Sequence, residues 1–343
     1  MDISTVDHVE FQVGDIEATA RLLCTGYGFG PLGEGELQGQ RSVLLGQGGI
    51  RVLLTAGPTG YVRRHGDGLA TIALRTSDAA AAYAEAVTRG AHPVAPPAAW
   101  RRDDSVVVTA TVGGPGALSH RFVERRGDGF LPGGIAETGE PPAGPLLEID
   151  HAALCVPDGD LGPTVRYYEE VFGFKQIFSE RVEIGGSAME SMVVQSPSGA
   201  VTFTIVAPDP VRRSGQLDDF LRANDGAGVQ HLALSTADIT ESVASLKASG
   251  VRFLSTPDSY YEGIKSRLGA IGRPVEALRA GGILVDRDHW GEMFQIFTES
   301  PFERRTFFFE LIERHGALTF GSNNIRALYE AKERSRAAAE ARA

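Results

Sequence analysis

The amino-acid sequence predicts an α+β chain of tandem βαβββ units, folded as two pseudo-symmetric half-open barrel domains with a C-terminal lid helix over the second. Three observations lead there. The chain repeats itself, segment for segment, across its two halves. Each repeating segment joins a strand of period two to one short helix. A Gly- and Pro-rich stretch, Gly127 to Pro145, parts the halves as a linker. Residues 1–135 are read as an N-terminal structural barrel, and 146–343 as a C-terminal barrel that carries the chemistry.

The elements follow in order. Asp7-His8-Val9-Glu10-Phe11-Gln12-Val13 alternates as a strand and leads through a polar turn to a helix from Ile16 to Leu23, ending at Tyr27-Gly28-Phe29. Its counterpart is Asp150-His151-Ala152-Ala153-Leu154-Cys155-Val156, then a helix from Val165 to Val171 and Gly173-Phe174. A second pair is Gly68 to Asp78 with Gly228 to Asp238. Each is a strand that ends at an Asp near a helix start. The helices run from Ala79 to Thr88 and from Ile239 to Ala248, each closed by a glycine, Gly90 or Gly250, suited to the position after a helix. A third pair is His120-Arg121-Phe122-Val123-Glu124-Arg125 with Phe309-Glu310-Leu311-Ile312-Glu313-Arg314. The tail, Asn323 to Ala343, is rich in Ala, Glu and Arg and reads as helical, with an amphipathic start at Ile325, Leu328 and Tyr329. Paired units of this kind curl mixed sheets around a concave cleft that can hold a small ligand.

With 343 residues, 42% hydrophobic and 22% charged, the composition is that of a soluble globular enzyme. The net charge of -11 and the want of a basic stripe argue against a nucleic-acid partner. An anionic small substrate stays open, since a local cation overrides the global field. Cys24 and Cys155 are lone and lie in apolar runs, so no disulfide framework is expected and a reducing, cytoplasmic setting fits. Met1-Asp2-Ile3-Ser4 carries neither region of a signal peptide, and no apolar run reaches membrane-spanning length. The oligomeric state is left open, with a homodimer compatible.

The chemistry starts from Thr306 to Arg314, a buried strand of aromatic and aliphatic residues around one carboxylate. Alternation puts Phe308, Glu310 and Ile312 on one face and Phe307, Phe309 and Leu311 on the other. A carboxylate there is costly without a charged partner, which is either an Arg or Lys or a divalent metal. The matched positions favour the metal. The second half has His151, His231 and Glu310 where the first has His8, Thr71 and Arg121. Two imidazoles and a carboxylate are the donors of non-haem Fe(II) oxygenases, which leave positions open for substrate and O2; Zn(II) accepts the same set. Thr71 is a poor ligand and Arg121 repels a cation, so the first half is read as structural and His8 as a core histidine. His65, His92, His120, His289 and His315 are expected in solvent.

The second half resembles the 4-hydroxyphenylpyruvate dioxygenase family of the vicinal-oxygen-chelate superfamily. The matching stretches are Glu148-Ile149-Asp150-His151, Gly226 to His231, Phe253-Leu254-Ser255 to Tyr260-Tyr261, Ile283 to Asp286, Gln295-Ile296-Phe297-Thr298, Phe309-Glu310, and Phe320-Gly321 to Asn324. The first half resembles the family in pattern only. The resemblance implies the vicinal-oxygen-chelate fold and Fe(II) on His151, His231 and Glu310. It also implies 4-hydroxyphenylpyruvate and O2 as substrates, with the 2-oxo acid chelating the iron and losing CO2 before the arylacetate is oxidised.

At the pocket the chain departs from the dioxygenase pattern. Thr204-Ile205-Val206-Ala207-Pro208 stands where Pro-x-Asn precedes Glu-Pro, and Asn323-Asn324-Ile325 where Gly-Asn-Phe opens the closing helix. These exchanges are similar to the mandelate-forming branch of the family, the 4-hydroxymandelate synthases. Ile325 in place of Phe gives the ring room to turn, so that the benzylic carbon faces the oxidant. Val206 removes a polar contact near the ring. A displacement of about 1 Å changes rates by orders of magnitude. The same carry-over makes Ser191 a partner for the phenol or a nearby water, and puts Gln230 and Gln295 beside the ligand strands. It makes Phe309 and Phe320 ring-stacking walls and Asn324 a pin for the lid. The plainer alternatives are core amides for the two Gln and core packing for the two Phe. Three functions stay in view: formation of 4-hydroxymandelate, formation of homogentisate, and a metal-free binding module. The intact donor set speaks against the last.

Overall fold

The first half runs β1 (Thr5–Val13), α1 (Ile16–Tyr27), β2 (Gly30–Leu37), β3 (Gln40–Gln47), β4 (Ile50–Ala56), α2 (Gly60–His65), β5 (Gly68–Arg75), α3 (Ala79–Thr88), β6 (Pro93–Arg102), β7 (Ser105–Gly113) and β8 (Ser119–Arg126). A ribbon of β9 (Phe130–Leu131) and β10 (Ile135–Ala136) follows. The second half runs β11 (Ile149–Cys155), α4 (Leu161–Phe172), β12 (Lys175–Ile184), β13 (Ser187–Gln195), β14 (Thr202–Pro208), α5 (Gln216–Ala223), β15 (Gly228–Ser235), α6 (Ile239–Ala248), α7 (Asp258–Glu262), α8 (Ile264–Leu268), α9 (Val275–Gly281), β16 (Leu284–Arg287), β17 (Glu292–Phe297) and β18 (Phe308–His315). This computed structural model describes every residue except 38, 58, 128–129, 132–134, 185–186, 210, 212–213, 322–323, 325 and 327–343. Most of the expected C-terminal lid helix, Ile325 included, therefore lies outside the described residues.

The two halves have the same topology. Eight strands run in the order β2-β3-β4-β1-β5-β8-β7-β6 in the first sheet and β12-β13-β14-β11-β15-β18-β17-β16 in the second. Each sheet is two βαβββ units set side by side. Within each unit the first and last strands pair in parallel, and the units join through antiparallel central strands, β1 to β5 and β11 to β15. The outer strands curl over these centres, so that β13 and β14 face β17 and β18 across one cavity.

Local chemistry sets the helix ends. Asp78 and Asp238 cap α3 and α6, accepting from Ala81 N at 2.8 Å and Glu241 N at 3.0 Å. Asp15 caps α1, which runs one turn past the expected Leu23 until Gly28 takes the left-handed conformation. Helix α4 starts a turn before the expected Val165, because Pro163 is tolerated in a first turn, where its missing N–H is not needed.

The stretch between the halves does more than link them. Ile135 is fully buried against Leu32, Leu37, Leu44 and Leu53 of the first sheet. Thr138 binds Leu32 O through both its amide, at 2.6 Å, and its hydroxyl, at 2.7 Å. Gln47 then ties the two halves, donating to Tyr27 O and accepting from Leu146 N, both at 2.7 Å.

The halves share a hydrophobic core built from the outer faces of the central strands and the helices upon them. Here the expectation that His65 and His120 face solvent is corrected. His65 is buried, its Nδ1 2.5 Å from Asn224 O of the other half. His120 is fully buried among Tyr168, Phe172 and Phe203 of the second half, with its Nε2 3.0 Å from the Tyr168 hydroxyl. A histidine in a polar stretch of sequence looked solvated, but alternation along β8 turns it into the core.

Burial pushes the His120 pKa down to about 3, so the ring is neutral in the fold. In the unfolded chain it takes up a proton below about pH 6.5. Stability from this source is complete above that pH and is lost as pH falls toward about 3, by roughly 1.4 kcal/mol per unit. His120→Phe should be about 1 kcal/mol less stable than the parent at pH 8, where the Tyr168 hydroxyl loses its partner. The deficit should shrink and then reverse toward pH 4. Urea midpoints measured at pH 8, 6 and 4.5 check this, and parallel pH profiles for the two proteins would contradict it.

Candidate metal centre

Three adjacent strands at the centre of the second sheet carry the expected donors, and their register explains why the donors meet. His151 on β11 and Glu310 on β18 both lie opposite Ala233 on the β15 strand between them. His231 precedes Ala233 by two positions, so it leaves the same face of the sheet. All three donors are buried, and their ligand atoms lie within 4.8 Å of one another. Glu310 Oε2 is 3.3 Å from His231 Nε2 and 3.5 Å from His151 Nε2. The residue between them is an alanine, which leaves the space above it to the donors.

The other polar atom of each donor is already held. His151 Nδ1 lies 2.8 Å from Asp150 Oδ1, His231 Nδ1 lies 3.3 Å from Gln230 Oε1, and Gln295 Nε2 donates to Glu310 Oε1 at 2.7 Å. Asp150 and Gln230 share a position. Each is the extra residue of a β-bulge: strand pairing skips Asp150 between Ile149 and His151, and Gln230 between Val229 and His231. A bulge re-aims side chains, so the residue before each histidine turns to grip it.

With Nδ1 donating, each imidazole offers its Nε2 lone pair, the form that binds metals. Three acceptors then face one another in a buried space, which demands a cation between them. Burial alone would push the His151 pKa down, but the Glu310 and Asp150 carboxylates outweigh it and hold it at about 9. Burial would likewise raise Glu310, and the two imidazoles draw it down to about 2 instead. Without a metal, a proton fills the position.

The first half shows the opposite solution. There Glu10 stands where the second half has Ala153, and Arg121 where it has Glu310. Arg121 Nη2 pairs with Glu10 Oε2 at 2.8 Å, so that half neutralises itself internally. In the second half Glu310 faces the two imidazoles, with Gln295 behind it. Donor type, convergence and held tautomers all fit a divalent ion, iron and zinc alike.

Beside the donors lies a partly open cavity, about 520 Å³ when the solvent at its mouth is counted, lined by Met189, Ser191, Thr204, Val206, Gln216, Leu217, Gln230, Gln295, Phe297 and Phe320 together with the three donors. Ser191 Oγ and Thr204 Oγ1 are buried in its wall with no hydrogen-bond partner among the described residues. The Phe320 ring meets His151 edge-on at 5.2 Å between centroids. Asn324 stands behind the wall in a chain of hydrogen bonds. It accepts from the Tyr260 hydroxyl and donates to Gln295 Oε1, each at 2.8 Å, and Gln295 in turn holds Glu310.

Phe309 is not in this wall, which corrects its expected role as a ring-stacking group. It sits on the opposite face of β18 from Glu310 and packs between the halves against Tyr27 at 4.9 Å and Phe307 at 5.0 Å. Phe308, which shares the Glu310 face, stacks on His231 at 4.9 Å. Sequence reasoning passed over Phe297, Met189 and helix α5, whose Gln216 and Leu217 close one side of the cavity. The signal for Phe308 was its alternation with Glu310. That for Asp150 and Gln230 was their place directly before the two histidines.

Glu310→Ala should lose a retained divalent ion by roughly 100-fold or more, beyond the effect of changing an outer partner alone. His8→Ala should keep the parent's metal content. Anaerobic loading with Fe(II), desalting and elemental analysis decide this. Equal loss in the two variants would move the metal out of the second half.

The model of the Glyoxalase/Bleomycin resistance protein/Dioxygenase superfamily matches residues 5–107 and 148–296. The 4-hydroxyphenylpyruvate dioxygenase of Aspergillus fumigatus is 33% identical, over 96% of this chain and 92% of its own. That of Dictyostelium discoideum is 32% identical, over 96% of this chain and 97% of its own. Among solved structures, a triple variant of 4-hydroxymandelate synthase from Streptomyces coelicolor superposes with a TM-score of 0.89 at 38% identity, covering 98% of this chain and all of the other. Among the described residues no helix is long and apolar enough to cross a membrane. The chain belongs to the Glyoxalase/Bleomycin resistance protein/Dioxygenase superfamily and, within it, to the 4-hydroxyphenylpyruvate dioxygenase family of enzymes.

Proposed function

We propose that this enzyme uses Fe(II) and O2 to convert 4-hydroxyphenylpyruvate into 4-hydroxymandelate and CO2. The observation that carries the reading is a buried centre of two imidazoles and a carboxylate, set in a cavity whose wall offers two unpaired hydroxyls. The likeness to the synthase from Streptomyces coelicolor supports the product, and the dioxygenase relatives support the substrate.

Bound by His151, His231 and Glu310, iron would supply O2 activation and open positions for a chelating 2-oxo acid. The protein does the rest. Gln295 fixes the outer oxygen of Glu310, so the carboxylate presents one atom to the centre. Asp150 and Gln230 keep both imidazoles in the ligating tautomer. Phe320 and Phe297 hold an aromatic ring in place, and the Ser191 and Thr204 hydroxyls meet its phenol. Val206 offers no hydrogen bond, so the ring is steered by shape on that side. In this reading the benzylic carbon, and not a ring carbon, is presented for hydroxylation. Leu217, Met189 and Phe320 give the wall an apolar lining beside the reactive centre.

Anaerobic Fe(II) and 4-hydroxyphenylpyruvate should give a visible charge-transfer band, which a metal-free binding module would not show. After O2 is admitted, chromatography should find 4-hydroxymandelate as the main product. Homogentisate in its place would make the enzyme a homogentisate-forming dioxygenase. A separate test addresses the hydroxyls. Ser191→Ala combined with Thr204→Val should raise KM for 4-hydroxyphenylpyruvate about 10-fold, the value of a buried hydrogen bond or two. KM for phenylpyruvate, which lacks the hydroxyl, should stay as it was. An equal rise for both substrates would remove these residues from phenol recognition.

A further inference from the structure

We infer that Arg314 is a positioning residue that makes the metal seat and the aromatic cavity wall move as one body. The guanidinium forks onto Asp150, with Nε 2.8 Å from Oδ2 and Nη2 2.9 Å from Oδ1. Asp150 Oδ1 in turn holds His151 Nδ1. The remaining arm, Nη1, reaches the carbonyls of Ala317 at 3.2 Å and Thr319 at 2.8 Å. Those carbonyls belong to the segment that ends in Phe320. Arg314 also lies over the Phe320 ring, 5.3 Å from its centroid, and that ring stands perpendicular to the His151 imidazole. One cation thus touches both ends of a closed circuit: ligand, bulge carboxylate, guanidinium, backbone, aromatic wall. Asp288 holds the same segment by its amides, accepting from Leu318 N at 2.7 Å and Thr319 N at 2.8 Å.

The first half supplies an internal control. Arg125 forks onto Asp7 in the same way, at 2.7 and 2.5 Å, and Asp7 grips His8. That copy sits in the half where Arg121 and Glu10 cancel each other, away from the candidate centre. A fork used only to hold the fold should cost the same in either half. A fork that sets a metal ligand should matter only in the second. Only an arginine has enough fixed donors to span a carboxylate and two carbonyls at once.

The test uses the metal-free full chain titrated with Co(II), whose visible bands report ligand geometry, and chymotrypsin as a probe of the wall segment, in which Leu318 is exposed. Arg314→Gln should weaken Co(II) roughly 10- to 100-fold, the range for lost outer partners, shift the visible bands, and speed cleavage after Leu318 or Phe320. Arg125→Gln should leave all three at parent values, even if its thermal midpoint falls. Arg314→Lys keeps a cation by Asp150 but cannot also reach both carbonyls, so Co(II) affinity should recover while cleavage stays fast. Parent-like Co(II) binding in Arg314→Gln would overturn the inference, as would equal effects from Arg125→Gln. Should Arg314→Gln fail to fold, Arg314→Lys decides alone, and slow, parent-like cleavage in it would end the proposed coupling. The link to an aromatic substrate rests on the functional reading above, but these measurements do not. A parent protein that binds Co(II) yet ignores 4-hydroxyphenylpyruvate would sink that reading and leave this one standing.

Discussion

A carboxylate that is 1% exposed faces the Nε2 atoms of two imidazoles whose Nδ1 atoms are held by Asp150 and Gln230. That confrontation of three acceptors is the constraint around which the second half is organised. Nothing in a packed interior relieves it except a cation at the point of convergence. The surrounding structure works to keep the confrontation in place. Two bulges bring Asp150 and Gln230 round to the histidines, Gln295 fixes the carboxylate, and an alanine on the middle strand keeps the approach open. The same strands carry, on their other faces, the aromatic core that joins the halves. Site and interface are therefore two sides of one three-stranded strip.

Much of this was legible in the sequence, for a definite reason. An internal repeat gives each position a partner, and a residue whose partner has the opposite chemistry stands out. Glu310 against Arg121, and His231 against Thr71, singled out two of the three side chains that converge in the fold. The strands and the helices α3 and α6 were legible through plain alternation and through Asp and Gly at their ends. What failed was anything set by packing across the repeat. Phe309 was assigned to the cavity although alternation with Glu310 places it behind the sheet. His120 was put in solvent because its neighbours in sequence are polar, whereas its neighbours in space belong to the other half. Ile135 was hidden in a stretch whose glycines and prolines suggested a tether. Helix α5 matches α2 in place, but the two segments share no residue pattern, so the sequence repeat pointed to neither.

The cavity wall brings together the three candidate donors, the rings of Phe297 and Phe320, and two hydroxyls without a partner among the described residues. Tyr260, Asn324 and Gln295 form a line of hydrogen bonds that runs to the Glu310 carboxylate.

The repeated register has an evolutionary consequence. In the first half Ala73 lies opposite both His8 and Arg121, as Ala233 lies between its own partners, and Asp7 occupies a bulge as Asp150 does. The backbone of a second centre is thus repeated, while its side chains are not: Thr71 stands at the His231 position, Ala70 at the Gln230 position, and Arg121 at the Glu310 position pairs with Glu10. Exchanges at these few positions alone separate the two halves here, without disturbing a single strand. Divergence after gene doubling need not, in such a fold, begin with a loss of structure.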